Sequence, residues 1–314
     1  MRLLAALLFA LTLSPAASQV ASPHAIDIPL WFAETFLDLR EDVREAAAQG
    51  KRLMLYVGQD GCPYCTALMR TNFSQAQIVE KTRRHFVAVA LNLWGDREVT
   101  GLDGKTLPEK AFARALGVQY TPTLLFFDEK GAVVVRLNGY YPPHRLDAAL
   151  SYAAGAAGKG QSFAEYMKTA VKESASATLH DDPLFRKTAV ALGGKKPVAL
   201  LFETPYCAGC DELHREGLKR AEVRTLLARF NVYRLTPDDP WARKLGIAYT
   251  PSIVLFDGSK EAFRIEAYVR PFHLAGALDY VASGAYRTQP SFQRFLQARA
   301  ERLRPPGGKI DLWN

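Results

Sequence analysis

The sequence is written twice over, and this duplication limits the fold more than any other feature. A short apolar run, Lys51-Arg52-Leu53-Met54-Leu55-Tyr56-Val57, ends five residues before Cys62, and Pro197-Val198-Ala199-Leu200-Leu201-Phe202 ends five before Cys207. Leu116-Gly117-Val118-Gln119-Tyr120-Thr121-Pro122 returns as Leu245-Gly246-Ile247-Ala248-Tyr249-Thr250-Pro251, and each copy leads into an apolar run closed by Asp128 or Asp257. Leu146–Tyr152 is echoed by Leu274–Tyr280, and Ser162-Phe163 by Ser291-Phe292. The two prolines lie 129 residues apart, but the cysteine pairs lie 145 apart. The first unit therefore carries 16 extra residues between its cysteines and its proline, placed in the polar stretch Trp94–Lys110 as a surface loop. A chain of 314 residues has room for two such units as ordinary domains.

Periodicity and turn residues outline each unit. In the first, a helix near Leu37–Ala48 precedes a strand at Arg52–Val57, and a helix starts at the cysteine pair. Gln75–Arg84 reads as helix, Phe86–Leu93 as strand and Glu109–Leu116 as a short helix. Strands Thr123–Phe127 and Ala132–Leu137 form a hairpin, and a helix at Arg145–Ala154 follows. The second unit is expected to repeat this order, opening on a helix capped by Asp182 with Pro183 in its first turn. Lys172–Thr178, rich in Ser, Ala and charge, marks the boundary.

All four cysteines fall into two pairs, Cys62/Cys65 and Cys207/Cys210. A loop with two intervening residues removes little chain entropy when closed, so these pairs are poor staples. They make sense as chemistry. After an apolar strand and at the start of a helix, the first thiol meets free backbone N–H groups and the positive end of the helix dipole, which favour its thiolate. Cys62 and Cys207 are thus the expected nucleophiles, and Cys65 and Cys210, one turn on, the resolving thiols. Zinc would need two such motifs close together, whereas 141 residues separate Cys65 from Cys207. Covalent haem would need a histidine where Thr66 and Asp211 stand. His214, four residues after Cys210 on the same helical face, reads as an exposed helix residue, the alternative being a group that depresses a thiol pKa or joins Cys210 as a metal ligand. Tyr64 and Tyr206 flank the cysteines and are candidates for lining a substrate groove.

A strand, a Cys-x-x-Cys at a helix start, a later Thr-Pro opening a strand, a hairpin and a closing helix, in that order and twice, resemble the thioredoxin superfamily. The resemblance covers about 36–154 and 184–282. It implies an α/β fold of two tandem thioredoxin-like domains, each a central mixed sheet flanked by helices, over 27–170 and 179–300, with a tail at 301–314. It also implies that Pro122 and Pro251 are cis and face their sites, with Thr121 and Thr250 offering backbone groups to an extended substrate peptide. Cytosolic thioredoxins carry a buried acid six residues before the first cysteine. Here Tyr56 and Leu201 hold those places, so that proton acceptor is absent from both sites; Asp60 and Glu203 are nearby acids out of register.

Arg2, the apolar run Leu3–Leu13 and Ser14-Pro15-Ala16-Ala17-Ser18 have the layout of a secretory signal peptide over 1–18, too short to span a bilayer. The expected place of work is therefore the periplasm. The formal charge of +8, or +7 without Arg2, is scattered over helices, so no nucleic-acid partner is expected. The function expected is reversible thiol–disulfide exchange with disulfide-containing proteins or small disulfides, with no cofactor beyond the cysteines and no metal. Reduction is slightly favoured over oxidation, with a membrane disulfide reductase as a candidate electron donor. An alternative from another class is a chaperone or client-binding module, or a soft-metal module holding copper(I).

Overall fold

The computed structural model describes residues 26–156, 160–172, 174–266, 269–305 and 308. The expected leader at 1–18 and most of the expected tail lie outside them. The first half runs α1 (Leu39–Ala48), β1 (Arg52–Gly58), α2 (Pro63–Ala67), α3 (Ala76–His85), β2 (Phe86–Asn92), β3 (Glu98–Thr100), β4 (Thr106–Pro108), α4 (Glu109–Ala115), β5 (Thr123–Phe127), β6 (Val133–Asn138), α5 (Pro143–Ser151) and α6 (Phe163–Ala170). The second runs β7 (Val198–Phe202), α7 (Ala208–Glu212), α8 (Ala221–Leu227), β8 (Asn231–Leu235), α9 (Pro240–Leu245), β9 (Ser252–Asp257), β10 (Lys260–Glu266), α10 (Pro271–Ala282) and α11 (Phe292–Leu303). Because α11 reaches Leu303, the first residues of the expected tail belong to the second domain.

Each half holds the expected mixed sheet flanked by helices. The strand orders correspond: β2-β1-β5-β6 in the first and β8-β7-β9-β10 in the second. β1 pairs parallel with β2 and antiparallel with β5, and β7 does the same with β8 and β9. The apolar runs become central strands because both faces of each sheet are covered. Met54, Tyr56, Leu124 and Phe126 face α5, while Leu53, Leu55, Val57 and Leu125 face α1 and α4. A widened π-helical turn follows each cysteine helix, at Leu68–Asn72 and at Leu213–Leu218.

Two expectations fail. The helix expected after Asp182-Pro183 is a turn, in which Asp182 takes the N–H of Leu184 on its side chain and that of Phe185 on its carbonyl. Phe185 must reach one face of the second sheet while Val190 and Leu192 reach the other. An extended segment can do that, and one helical stripe cannot. The extra segment of the first unit is also more than a surface loop. β3 and β4 pair within it, Val99 is fully buried, and the buried Glu109 carboxylate binds the Arg97 guanidinium at 2.6 Å.

Candidate functional site

Cys62 ends the loop after β1 and caps α2: its sulfur accepts the Cys65 N–H at 3.1 Å. Pro63 fills the first helical position, where no N–H partner is needed. The Thr121-Pro122 bond is cis and brings Thr121 to the sulfur. The Cys62 thiol donates to the Thr121 carbonyl at 3.3 Å, and the Thr121 hydroxyl reaches the sulfur at 3.4 Å. Burial pushes the Cys62 thiol up, but Cys65, the Thr121 hydroxyl and the N–H groups of Cys65 and Tyr64 together hold it below its ordinary range. Cys65 is driven far the other way, by burial first and then by the hydrogen bond and charge of Cys62. One thiol is primed and the other held protonated. The place of the missing acid is taken by Tyr56, whose buried hydroxyl makes no well-formed hydrogen bond among the described residues and neighbours the Cys65 sulfur.

At the second site Cys207 caps α7 in the same way, accepting the Cys210 N–H at 3.1 Å. Here the two sulfurs are joined as a disulfide, whereas Cys62 and Cys65 are free thiols. Thr250-Pro251 is cis, and Thr250 lines one groove with Cys207 and Tyr206. Tyr206 is 72% exposed and has φ +58°, a left-handed conformation fixed by its N–H bond to the Ser176 carbonyl. One reading from sequence is corrected here. His214 is buried rather than exposed, because it binds the Glu203 carboxylate at 2.8 Å. Glu203, out of register with the family's acid, is itself buried as the partner of His214. His180 stacks on His214 at 4.4 Å between ring centroids and binds Asp211 at 2.6 Å.

The sites are not open faces. A cleft of about 1300 Å³ between the domains is lined by Cys62 and Pro63 on one side and by Ala208 and Gly209 on the other. Tyr64, taken as a groove-lining residue, is buried there with its hydroxyl 3.2 Å from His273 Nδ1. Gln59 donates to the Thr121 hydroxyl at 3.0 Å and to Gln293 of α11 at 2.9 Å, and Gln293 donates to the Gln119 carbonyl. The second domain therefore packs against the strip leading to Thr121. A smaller cavity of about 540 Å³ holds Cys207 between the second domain and Met167 and Lys168 of α6. Sequence reasoning missed Gln59, Arg145, His273 and Gln293; none stands near a cysteine in the chain except Gln59, whose signal was only its place after β1. Among the described residues no three His, Cys, Asp or Glu side chains gather as a metal site. No described helix is long and apolar enough to cross a membrane.

A family model described as a thioredoxin-like domain matches residues 39–154 and again 184–282. A curated relative, the protein disulfide-isomerase erp38 of Neurospora crassa, is 26% identical over 209 residues, covering 65% of this chain and 48% of that protein. The chain thus spans about half the length of that relative. Among solved structures, a thioredoxin-fold protein from Helicobacter pylori is 22% identical with a TM-score of 0.34, covering 39% of this chain and 81% of that one. The oxidised DsbD C-terminal domain of Neisseria meningitidis is 15% identical with a TM-score of 0.29, covering 39% and 97%.

Proposed function

Because the chain belongs to the thioredoxin-like domain family, whose domain it carries twice, we propose that it exchanges dithiols and disulfides at Cys62/Cys65 and Cys207/Cys210. The observation that carries this reading is the split at the first site, where Cys62 is favoured as thiolate and Cys65 as thiol. The Cys62 thiolate attacks one sulfur of a substrate disulfide; that S–S bond breaks as the new one forms, and the departing thiolate takes a proton from water. Cys65 then loses its proton, attacks the Cys62 sulfur and releases the second substrate thiolate. Two electrons have passed to the substrate, and Cys62 and Cys65 are left as a disulfide. An external dithiol resets the pair, and the same steps in reverse oxidise a dithiol.

The substrates in this reading are disulfide-containing proteins, admitted where the domain cleft parts. The N-terminal layout supports export to the periplasm, and N-terminal sequencing of the mature chain should then begin at Gln19. In an oxidising compartment a reductant needs a supplier, so the reductase direction calls for a membrane disulfide reductase as donor. The test is reduction of insulin by dithiothreitol with the full chain as catalyst. Acceleration that disappears only when both Cys62 and Cys207 are serine supports two working sites. No acceleration by the unsubstituted chain contradicts the reading.

A further inference from the structure

The two domains pack through equivalent surfaces. Tyr120 of the first enters the core of the second, beside Phe263 and Phe292, and donates its hydroxyl to the Arg264 carbonyl at 3.1 Å. Its counterpart Tyr249 packs on Tyr141 of the first domain at 5.4 Å between centroids. Asn138 and Glu266, equivalent positions 128 residues apart, bind each other at 2.9 Å. Contacts of residue with counterpart, and of each surface with its copy, are the signature of a two-fold interface, here within one chain.

The same relation extends to the cysteine loops. His273, near the start of α10, meets Tyr64, the third residue of Cys62-Pro63-Tyr64-Cys65. Its counterpart at the same offset of 128 is Arg145 of α5. Arg145 meets Gly209, the third residue of Cys207-Ala208-Gly209-Cys210. A Cβ at Gly209 would lie 3.2 Å from Arg145 Nη1 and 3.1 Å from the Pro251 ring. Arg145 is anchored by its 2.7 Å bond to the Tyr249 hydroxyl and lines the same groove as Cys207.

We propose that Arg145, although it belongs to the first domain, is a positioning residue of the second domain's active site, where its guanidinium favours the Cys207 thiolate in trans. This rests on the thiol–disulfide reading of that site. The contact is reciprocal in place but not in charge. Burial holds the His273 ring down to about 4, so it is neutral at pH 7, whereas a guanidinium is always cationic. A cation at the helix start lowers a thiol's pKa and stabilises the reduced form, which raises the reduction potential. Arg145 thereby makes the second site more oxidising than it would be without that cation.

Among the described residues, the ionisable groups around this helix start include Asp211, bound by His180; Glu212, bound by Arg270; Lys168 of α6; His144; Tyr206 and Tyr249; and the buried Glu203–His214 pair. Tyr249 loses its bond to Arg145 when that residue is replaced, so the comparison of Arg145→Gln with Arg145→Lys separates charge from contact.

The experiment is a pH titration of thiolate absorbance in the reduced full chain carrying Cys62→Ser and Cys65→Ser. With Arg145→Gln, the Cys207 thiolate should titrate about one pH unit higher, and exchange with glutathione should move up to tenfold towards the disulfide. Arg145→Lys, which keeps the charge, should restore the original value. An unshifted titration with exchange intact overturns the assignment and leaves the oxidoreductase reading standing, and so does an equal shift in both variants, because packing alone would then explain it. A pair that does not exchange at all overturns both.

Discussion

At the scale of single residues, the split between the two thiols of the first site decides what each substitution does. Cys65→Ser should leave Cys62 able to attack but unable to be released, so a mixed disulfide with substrate should accumulate and be visible by mass spectrometry. Cys62→Ser should give none. Since the folded Cys62 pKa is lowered, its thiolate persists as pH falls below the ordinary thiol range near 8.5, and its alkylation should stay fast there while Cys65 remains unreactive. Tyr56→Phe removes a buried hydroxyl that lacks a good partner, so stability should hold or rise by up to about 1 kcal/mol. The same hydroxyl favours the Cys65 anion, so release of the mixed disulfide should slow in this variant, as read by stopped-flow quenching. The cysteine pairs were legible in their local spacing, whereas the cis bonds after Thr121 and Thr250 were expected only from the family resemblance. Arg145 and His273 were not, because they meet the cysteine loops across a domain junction that no local pattern encodes.

At the scale of elements, most strands and helices follow the apolar periodicity, and the lapses have a common cause. The segment after Asp182 and the insertion carrying Val99 and Glu109 both have to satisfy contacts made far along the chain. His214 had the look of an exposed helix residue because its acid partner, Glu203, sits on the preceding strand's end. Helix α1 supplies a pH-dependent prediction. Asp42 in its first turn is buried, which raises its carboxyl to about 6 despite the Thr35 hydroxyl, with Glu45, Asp38 and Glu41 adding to the rise. A carboxyl raised on folding stabilises the fold only when protonated; that benefit is complete below about pH 4 and is lost as pH rises through about 6. Asp42→Asn should therefore add about 1 kcal/mol at pH 7–8, discounted for partial solvation and for the lost charge at the helix start. The gain should vanish near pH 4. Urea melts at the two pH values check it, and an equal gain at both would contradict the cause given.

At the scale of the whole molecule, the duplication in the sequence becomes an intramolecular two-fold packing that closes both cysteine loops against the partner domain. The repeat itself was legible. The packing was not, because Tyr120 and Tyr249 carry no sign of which domain's core they enter. This arrangement couples access at one site to the position of the other domain, with α11 over the first site and α6 over the second. The central claim is that both pairs are redox centres. It is tested most directly by equilibrating the full chain against graded dithiothreitol buffers and counting free thiols at each pair by alkylation and mass spectrometry. The account predicts that each pair takes up two electrons in one step, with potentials inside the span of about −270 to −120 mV covered by thioredoxin-like proteins. Pairs that stay unchanged across the whole range would contradict it.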